Sequence, residues 1–241
     1  HHVVGNDVVL PAAAYIELAL VMAADWYAYS ASEIVDVVIL APLLLAESEY
    51  KVVRCSLNEE RKVFSISSKR RLSDDGWTLH CRGKIRELQN SCVVEGHTTR
   101  LQENGAGSDR ATSIAKITKV TTEEFYSRLG LAGLKYGEAF RVVDDICVSE
   151  GSISASLVSS GSRDSGGSSE SGYDFAHFLH PTVLDGCFQL AALFIPEHCR
   201  DQAYLPTQIE ILKHFSNAKV ESVVAQLVSV NRRQLVFNLQ L

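Results

Sequence analysis

Two stretches of this 241-residue chain carry side chains whose types and spacing could move protons. One reads His180-Pro181-Thr182-Val183-Leu184-Asp185-Gly186-Cys187-Phe188-Gln189. Asp185 and Gln189 stand four apart and so share one face of a helix, one turn from each other. A carboxyl among Val183, Leu184, Cys187 and Phe188 is poorly solvated, and desolvation raises a carboxyl pKa. Such a group stays protonated near neutral pH and can serve as a general acid. Gln189 both donates and accepts hydrogen bonds, so it could orient Asp185 or a substrate hydroxyl. A plainer reading stands beside this one, in which Thr182 caps the helix and Asp185 is merely its third-position carboxylate. The other stretch reads His1-His2-Val3-Val4-Gly5-Asn6-Asp7-Val8-Val9-Leu10-Pro11. Histidine is the side chain that ordinarily titrates nearest neutral pH, which makes His2 the natural general base. A terminal His-His pair is also what a tag remnant or a simple surface pair looks like. The spacing from His2 to a proline that opens an apolar helix argues against a tag.

Only a fold that brings His2 and Asp185 together makes a site of them. Pro11 suits the first position of a helix, and the alanine-rich run to Ala24 has high helix propensity. That run is apolar nearly all round, which implies a helix enclosed by other structure. Strand-like runs follow at Ile34–Leu45, Tyr50–Leu57, Lys62–Ser68 and Trp77–Ile85, two of them with the alternation of antiparallel sheet. The scheme then repeats, with strand-like stretches at Ile117–Val120, Phe140–Val148 and Ile153–Val158. A Ser/Gly-rich tract from Ser159 to Gly172 reads as a flexible loop. A second apolar helix runs from His180 to about Phe194, and strands near Ile209–Phe215, Ser222–Val230 and Gln234–Leu241 close the chain. Aligning the helices on their prolines sets Tyr15 opposite Asp185 and Ala19 opposite Gln189. The expected architecture is α+β, with residues 1–100 as one half carrying His2 and residues 114–241 as a second carrying Asp185. Residues 101–113 connect them within one integrated domain, and a cleft lies between the halves.

Composition narrows the function classes. Apolar residues make up 46% and charged residues 22%, an ordinary globular balance. A net charge of −6 gives no general attraction to nucleic acid or anionic lipid. The basic run Lys69-Arg70-Arg71 reads as a solvated strand end or turn, with contact to an acidic partner as the other option. Six cysteines without C-x-x-C spacing read as reduced thiols of a cytoplasmic protein. The longest apolar stretch, Val8 to Ala24, contains Glu17 and is short for a membrane span, and no signal peptide is visible. His177, His180, His198 and Cys199 lack the spacing of a metal site, so no metal is expected. No G-x-S-x-G, P-loop or G-x-G-x-x-G is present, and Cys187 reads as a small packing residue.

Taken together, these residues resemble the dehydratase domain of modular polyketide synthases and of related multifunctional fatty acid synthases. That family carries H-x-x-x-G-x-x-x-x-P near its start. His2 and Pro11 match it, while Asn6 stands in the glycine position and Gly5 is displaced by one. The family's Y-G-x-x-F appears as Tyr136-Gly137-Glu138-Ala139-Phe140, with Glu138 where proline is often found. H-P-x-x-x-D-x-x-x-Q is complete at His180, Pro181, Asp185 and Gln189. An L-P-x-x-[W/I] element appears as Leu205-Pro206-Thr207-Gln208-Ile209. Four motifs stand in the family's order over nearly the whole chain. The family has further strands before the first motif, so a trimmed domain is expected.

The resemblance implies a double-hotdog fold, in which two antiparallel sheets each wrap round a helix. It implies removal of water from a 3-hydroxyacyl thioester on an acyl carrier protein, with His2 as base and Asp185 as acid. Gln189 would hold the hydroxyl or Asp185, and Tyr136 would assist in orienting them. A backbone N–H near Gly5, or at the start of the first helix, would polarise the thioester carbonyl. No metal or redox cofactor is called for, since the phosphopantetheine arm belongs to the substrate. The implied partners are an acyl carrier protein, neighbouring synthase domains and a second copy in a homodimer. Double-bond-shifting or pyran-forming relatives use the same His and Asp. A catalytically silent acyl-binding domain is the alternative from another class, and would be expected to have lost one or both.

Overall fold

The computed structural model describes residues 2–28, 31–46, 48–88, 117–158, 177–197, 203–215, 219–231 and 233–241. The expected connection at 101–113 and the Ser/Gly-rich tract lie outside the described residues, as do His198 and Cys199. Short strands β1 (His2–Val4) and β2 (Asp7–Val8) lead into helix α1 (Ala12–Tyr27). Strands β3 (Ser32–Ile39), β4 (Lys51–Asn58), β5 (Val63–Arg70) and β6 (Thr78–Glu87) follow. The next region holds β7 (Thr118–Val120), helix α2 (Thr122–Leu131), β8 (Leu134–Tyr136), β9 (Val143–Ser149) and β10 (Ser152–Leu157). Helix α3 (Pro181–Gln189) tightens into a 3-10 segment over Leu190–Phe194. Strands β11 (Gln208–His214), β12 (Ser222–Val230) and β13 (Leu235–Gln240) come last.

Two five-stranded antiparallel sheets each receive one long helix. The first has the order β11-β3-β6-β5-β4, the second β13-β12-β10-β9-β7, and a small third sheet has the order β2-β1-β8. Helix α1 buries Tyr15, Ile16 and Leu20 against Ile34, Phe64, Ile66 and Ile85 of the first sheet. Its apolar circumference is used as expected: only Asp25 and Trp26 near its end are exposed. Helix α3 sends Cys187, with Leu190 just beyond it, into a second core with Val143, Ile146, Ile153 and Ala225. The double-hotdog arrangement implied by the sequence is thus the one observed.

Two features depart from the sequence-based expectation. Strand β11 belongs by sequence to the second half, yet it pairs with β3 of the first, Ile209 opposite Val37 and Ile211 opposite Val35. It covers what would otherwise be an unpaired edge beside two buried valines. Helix α2 was not expected at all. Its signal is Thr121, whose hydroxyl accepts the Glu124 N–H, followed by Glu123 and Glu124 in the first turn and a Glu124–Arg128 ion pair. Among the described residues, no helix is long and apolar enough to cross a membrane.

Gly186 marks how closely α3 approaches its sheet. A Cβ there would lie 2.5 Å from Val142 Cγ2 and 3.3 Å from Val143 Cγ2, both on buried branched side chains. Gly186→Ala should therefore cost about 1–3 kcal/mol of stability through overpacking, seen as a lower urea midpoint. An unchanged midpoint would mean that the helix can lift from the sheet freely.

Candidate active site

His2 is placed by the small third sheet. Strand β1 pairs with β8, His2 opposite Tyr136, so the start of the chain is fastened to the second half. On its other side β1 turns back into β2 through Gly5 and Asn6, with Val4 opposite Asp7. Gly5 has φ +64° and is the left-handed residue of this two-residue turn. The glycine displaced by one position is therefore where the backbone requires it. The Gly5 N–H donates to the Gly133 carbonyl at 2.8 Å, which corrects the expectation that it would polarise a substrate carbonyl. That donor is already engaged.

The His2 ring is buried and its tautomer is fixed. Nδ1–H donates to the Val9 carbonyl at 3.1 Å, since a carbonyl can only accept. In the neutral ring Nε2 is then the nitrogen with the lone pair, and it faces Asp185 Oδ1 at 3.6 Å. This is ion-pair range rather than a direct hydrogen bond. His2 is 8% exposed and Asp185 4%.

Asp185 sits on α3, one turn before Gln189, as the spacing required. Gln189 Nε2 donates to Asp185 Oδ2 at 2.9 Å and to the Phe140 carbonyl at 3.1 Å. Both amide hydrogens are used, which fixes the amide's orientation and ties α3 to the Tyr-Gly-x-x-Phe segment. Gln189 Oε1 is buried without a hydrogen-bond partner among the described residues. Burial pushes the Asp185 carboxyl above the usual carboxylate range, opposed by the nearby His2 charge and the Gln189 bond. The proton is therefore held more firmly than on an exposed carboxyl.

Tyr136 presents the edge of its ring contact to His2, with centroids 5.4 Å apart, and Phe140 packs at 5.6 Å. Burial, then the Asp185 and Tyr126 charges, push the Tyr136 phenol far up, so it stays a neutral hydroxyl. Tyr126, on the unexpected α2, accepts the Val143 N–H and donates to the Phe140 carbonyl. It holds from behind the carbonyl that Gln189 uses.

His2, Tyr136, Asp185 and Gln189 meet at one cavity of about 260 Å³ between the halves. Its walls are mostly apolar, with Leu134, Phe188 and Ile195 among them, and Leu205, Pro206 and Thr207 of the L-P-x-x-I element also reach it. Ala12, the first residue of α1, lines it too, and first-turn N–H groups have no partner within their own helix. The Leu40–Pro42 wall is braced by buried His80, which donates from Nδ1 to the Ala41 carbonyl and accepts the Ser68 hydroxyl at Nε2. Both nitrogens of His80 are committed.

The plainer reading of the α3 entry is also revised. His180, not Thr182, is the cap: its Nδ1 accepts the Thr182 N–H at 3.3 Å and the Thr182 hydroxyl at 2.8 Å. Burial and the His177 charge lower the His180 pKa against the pull of Glu17, and the neutral ring that results can accept. His177 lies 3.4 Å from Glu17. Among the described residues no cluster of three or more His, Cys, Asp or Glu side chains is arranged to hold a metal. Cys187 is fully buried, its Sγ–H donating to the Val183 carbonyl, and burial pushes its thiol up to about 12. It packs and does not react.

Comparison with known proteins follows the same geometry. A family profile described as "Polyketide synthase dehydratase domain" matches residues 1–70, and one described as "Polyketide synthase dehydratase N-terminal domain" matches residues 108–241. The chain is 30% identical over 218 residues to a highly reducing polyketide synthase of Gibberella moniliformis, covering 84% of this chain and 7% of that protein. It therefore spans under a tenth of the length of such curated relatives. The dehydratase domain from the CurJ module of curacin polyketide synthase superposes with a TM-score of 0.75 at 19% identity, covering 99% of this chain and 78% of that one. Two inactive mutants of the CurK dehydratase, one His to Phe and one Asp to Asn, each superpose at 0.68 with 20% identity, over 93% of this chain and 74% of theirs.

Proposed function

The chain belongs to the polyketide synthase dehydratase family, and from its geometry we propose that it converts a 3-hydroxyacyl thioester on an acyl carrier protein into the 2,3-enoyl thioester and water. The observation that carries this reading is the His2 Nε2–Asp185 Oδ1 pair, 3.6 Å apart at an apolar cavity, with the far side of His2 pinned to Val9. The proton beside a thioester carbonyl is weakly acidic, so the reaction needs a base at C2, an acid at the C3 hydroxyl and a partner for the carbonyl oxygen. His2 Nε2 takes the C2 proton. Asp185 gives its proton to the hydroxyl, the C3–O bond breaks, and the C2–H electron pair becomes the double bond. This leaves an imidazolium beside a carboxylate, and proton return from Nε2 to Oδ1 restores both. The N–H of Ala12, in the first turn of α1 and at the cavity, takes the carbonyl role that Gly5 cannot fill. Gln189 holds Asp185 through its nitrogen. Tyr136 braces the His2 ring edge-on and orients the hydroxyl.

The chain's small share of its relatives' length fits work as one domain of a cytoplasmic multidomain synthase, meeting a carrier protein, neighbouring domains and a second copy of itself. The histidine and aspartate substitutions in the inactive CurK dehydratases involve the same two residue types.

The deciding experiment incubates the protein with 3-hydroxyacyl carrier proteins of both hydroxyl configurations and several chain lengths, followed by mass spectrometry and chromatography. Enoyl product lighter by one water is expected. A shifted or cyclised product would replace this reading by that of an isomerising or pyran-forming relative, and acyl binding without turnover by that of a silent domain.

Gln189 supplies a graded test. Gln189→Ala removes a hydrogen bond to Asp185 that is worth about 1.5–3 kcal/mol once the acid has given up its proton and is charged. At 1.36 kcal/mol per tenfold, kcat should fall by about 10- to 100-fold. A kcat within twofold of the parent would show that Asp185 needs no such support.

A further inference from the structure

One buried acid of the first half is committed to the backbone of the second. Glu17 of α1 is 7% exposed, and both of its oxygens accept: Oε1 the Phe178 N–H at 2.9 Å, Oε2 the Leu179 N–H at 2.8 Å. From the other side, His214 Nε2 donates to the Phe178 carbonyl at 3.1 Å. The gripped residues immediately precede His180, the cap of the helix that carries Asp185. A carboxylate that takes two backbone donors fixes both the height and the direction of the segment that supplies them. His2 is held by Val9, two residues before Pro11, the cap of helix α1. Burying a carboxylate in an apolar core is costly, and an apolar residue would pack there at least as well. His177 also lies 3.4 Å from Glu17, but the two backbone N–H groups give the acid a positional role that an apolar residue could not supply.

We propose that Glu17 is a positioning residue, which sets α3 so that Asp185 stands opposite His2 by gripping the N–H groups of Phe178 and Leu179. It does not line the cavity and acts only through Asp185. The inference rests on the acid–base reading of the His2–Asp185 pair, and its test reads that pair separately from turnover.

The full chain is labelled with 15N-histidine, and the His2 Nε2 resonance is compared in the parent, Glu17→Gln, Glu17→Asp and Asp185→Asn proteins, alongside kcat and KM per folded molecule. Expected is a His2 resonance in Glu17→Gln moved toward its position in Asp185→Asn. With it, kcat falls by at least about tenfold at unchanged KM, since a misplacement near 1 Å costs on that scale or more. Glu17→Asp, which keeps the charge but shortens the reach, should fall between. An unmoved His2 resonance overturns the proposal, whether or not the thermal midpoint or kcat drops, because Glu17 is then a packing residue only. Should Glu17→Gln fail to fold, Glu17→Asp decides by the same two readouts. A parent protein without turnover would defeat the dehydration reading, while the His2 signal would still decide the role of Glu17.

Discussion

Asp185→Asn should abolish most dehydration while making the protein more stable at neutral pH. The rate loss expected from deleting a general acid is about 10²- to 10⁴-fold in kcat. Asparagine keeps the shape and can still meet Gln189, so substrate binding should survive. The stability gain follows from the direction of the Asp185 shift. Burial raises its folded-state pKa above the ordinary value of 3.8, so the folded protein holds this proton more tightly than the unfolded chain. The resulting stabilisation is complete below the unfolded pKa and is lost as pH rises from there through the raised folded pKa. Asparagine does not ionise and does not lose it. The difference in thermal midpoint between Asp185→Asn and the parent should grow with pH across that window and then level off. Each 1 kcal/mol corresponds to about 2–4 °C for a domain of this size. The parent's kcat should fall as pH rises through the raised folded-state pKa, where the acid ionises. Thermal melts and log kcat against pH test both. A pH-independent midpoint difference would mean that Asp185 is ionised throughout and cannot be the acid.

His2→Ala should lower kcat by about 10²- to 10⁴-fold as well, through loss of the base at C2. Here stability should drop rather than rise. The substitution removes the donor to the half-buried Val9 carbonyl, a hydrogen bond worth about 0.5–1.5 kcal/mol. Rates must therefore be taken per folded molecule. The two variants are told apart by the sign of their stability change, although their effects on rate are alike. A His2→Ala protein within tenfold of the parent rate would remove His2 from the mechanism and leave Asp185 as sole acid and base.

Much of the site was legible because its signals are local. Asp185 and Gln189 share a helix face by spacing alone, and the environment that raises the Asp185 pKa begins with its apolar neighbours in sequence. The two proline-led helices and the alternating strands announce a sheet-and-helix fold in duplicate. Helix α2 was readable from Thr121, Glu123 and Glu124 and from Phe125, Tyr126 and Leu129 on its buried face, but its ten residues fall short of the span over which such periodicity stands out. The turn at Gly5 and Asn6 was harder. A glycine one place out of the family's pattern reads as a defect until the hairpin shows which of the two residues takes the positive φ.

What the sequence determined by itself was the chemistry on offer: a histidine, an acid and an amide at spacings that suit proton transfer, on elements whose periodicity forms without distant help. Tertiary structure alone decided which atoms would serve. The Val9 carbonyl selects the His2 nitrogen that keeps a lone pair. The Phe140 carbonyl fixes the Gln189 amide, Gly133 occupies the Gly5 N–H, and β11 crosses to the first sheet. Glu17 meets Phe178 across 161 residues of chain. Side-chain periodicity is set by backbone geometry within a few residues, whereas the pairing of buried polar groups is settled only when packing excludes water and each donor must find an acceptor.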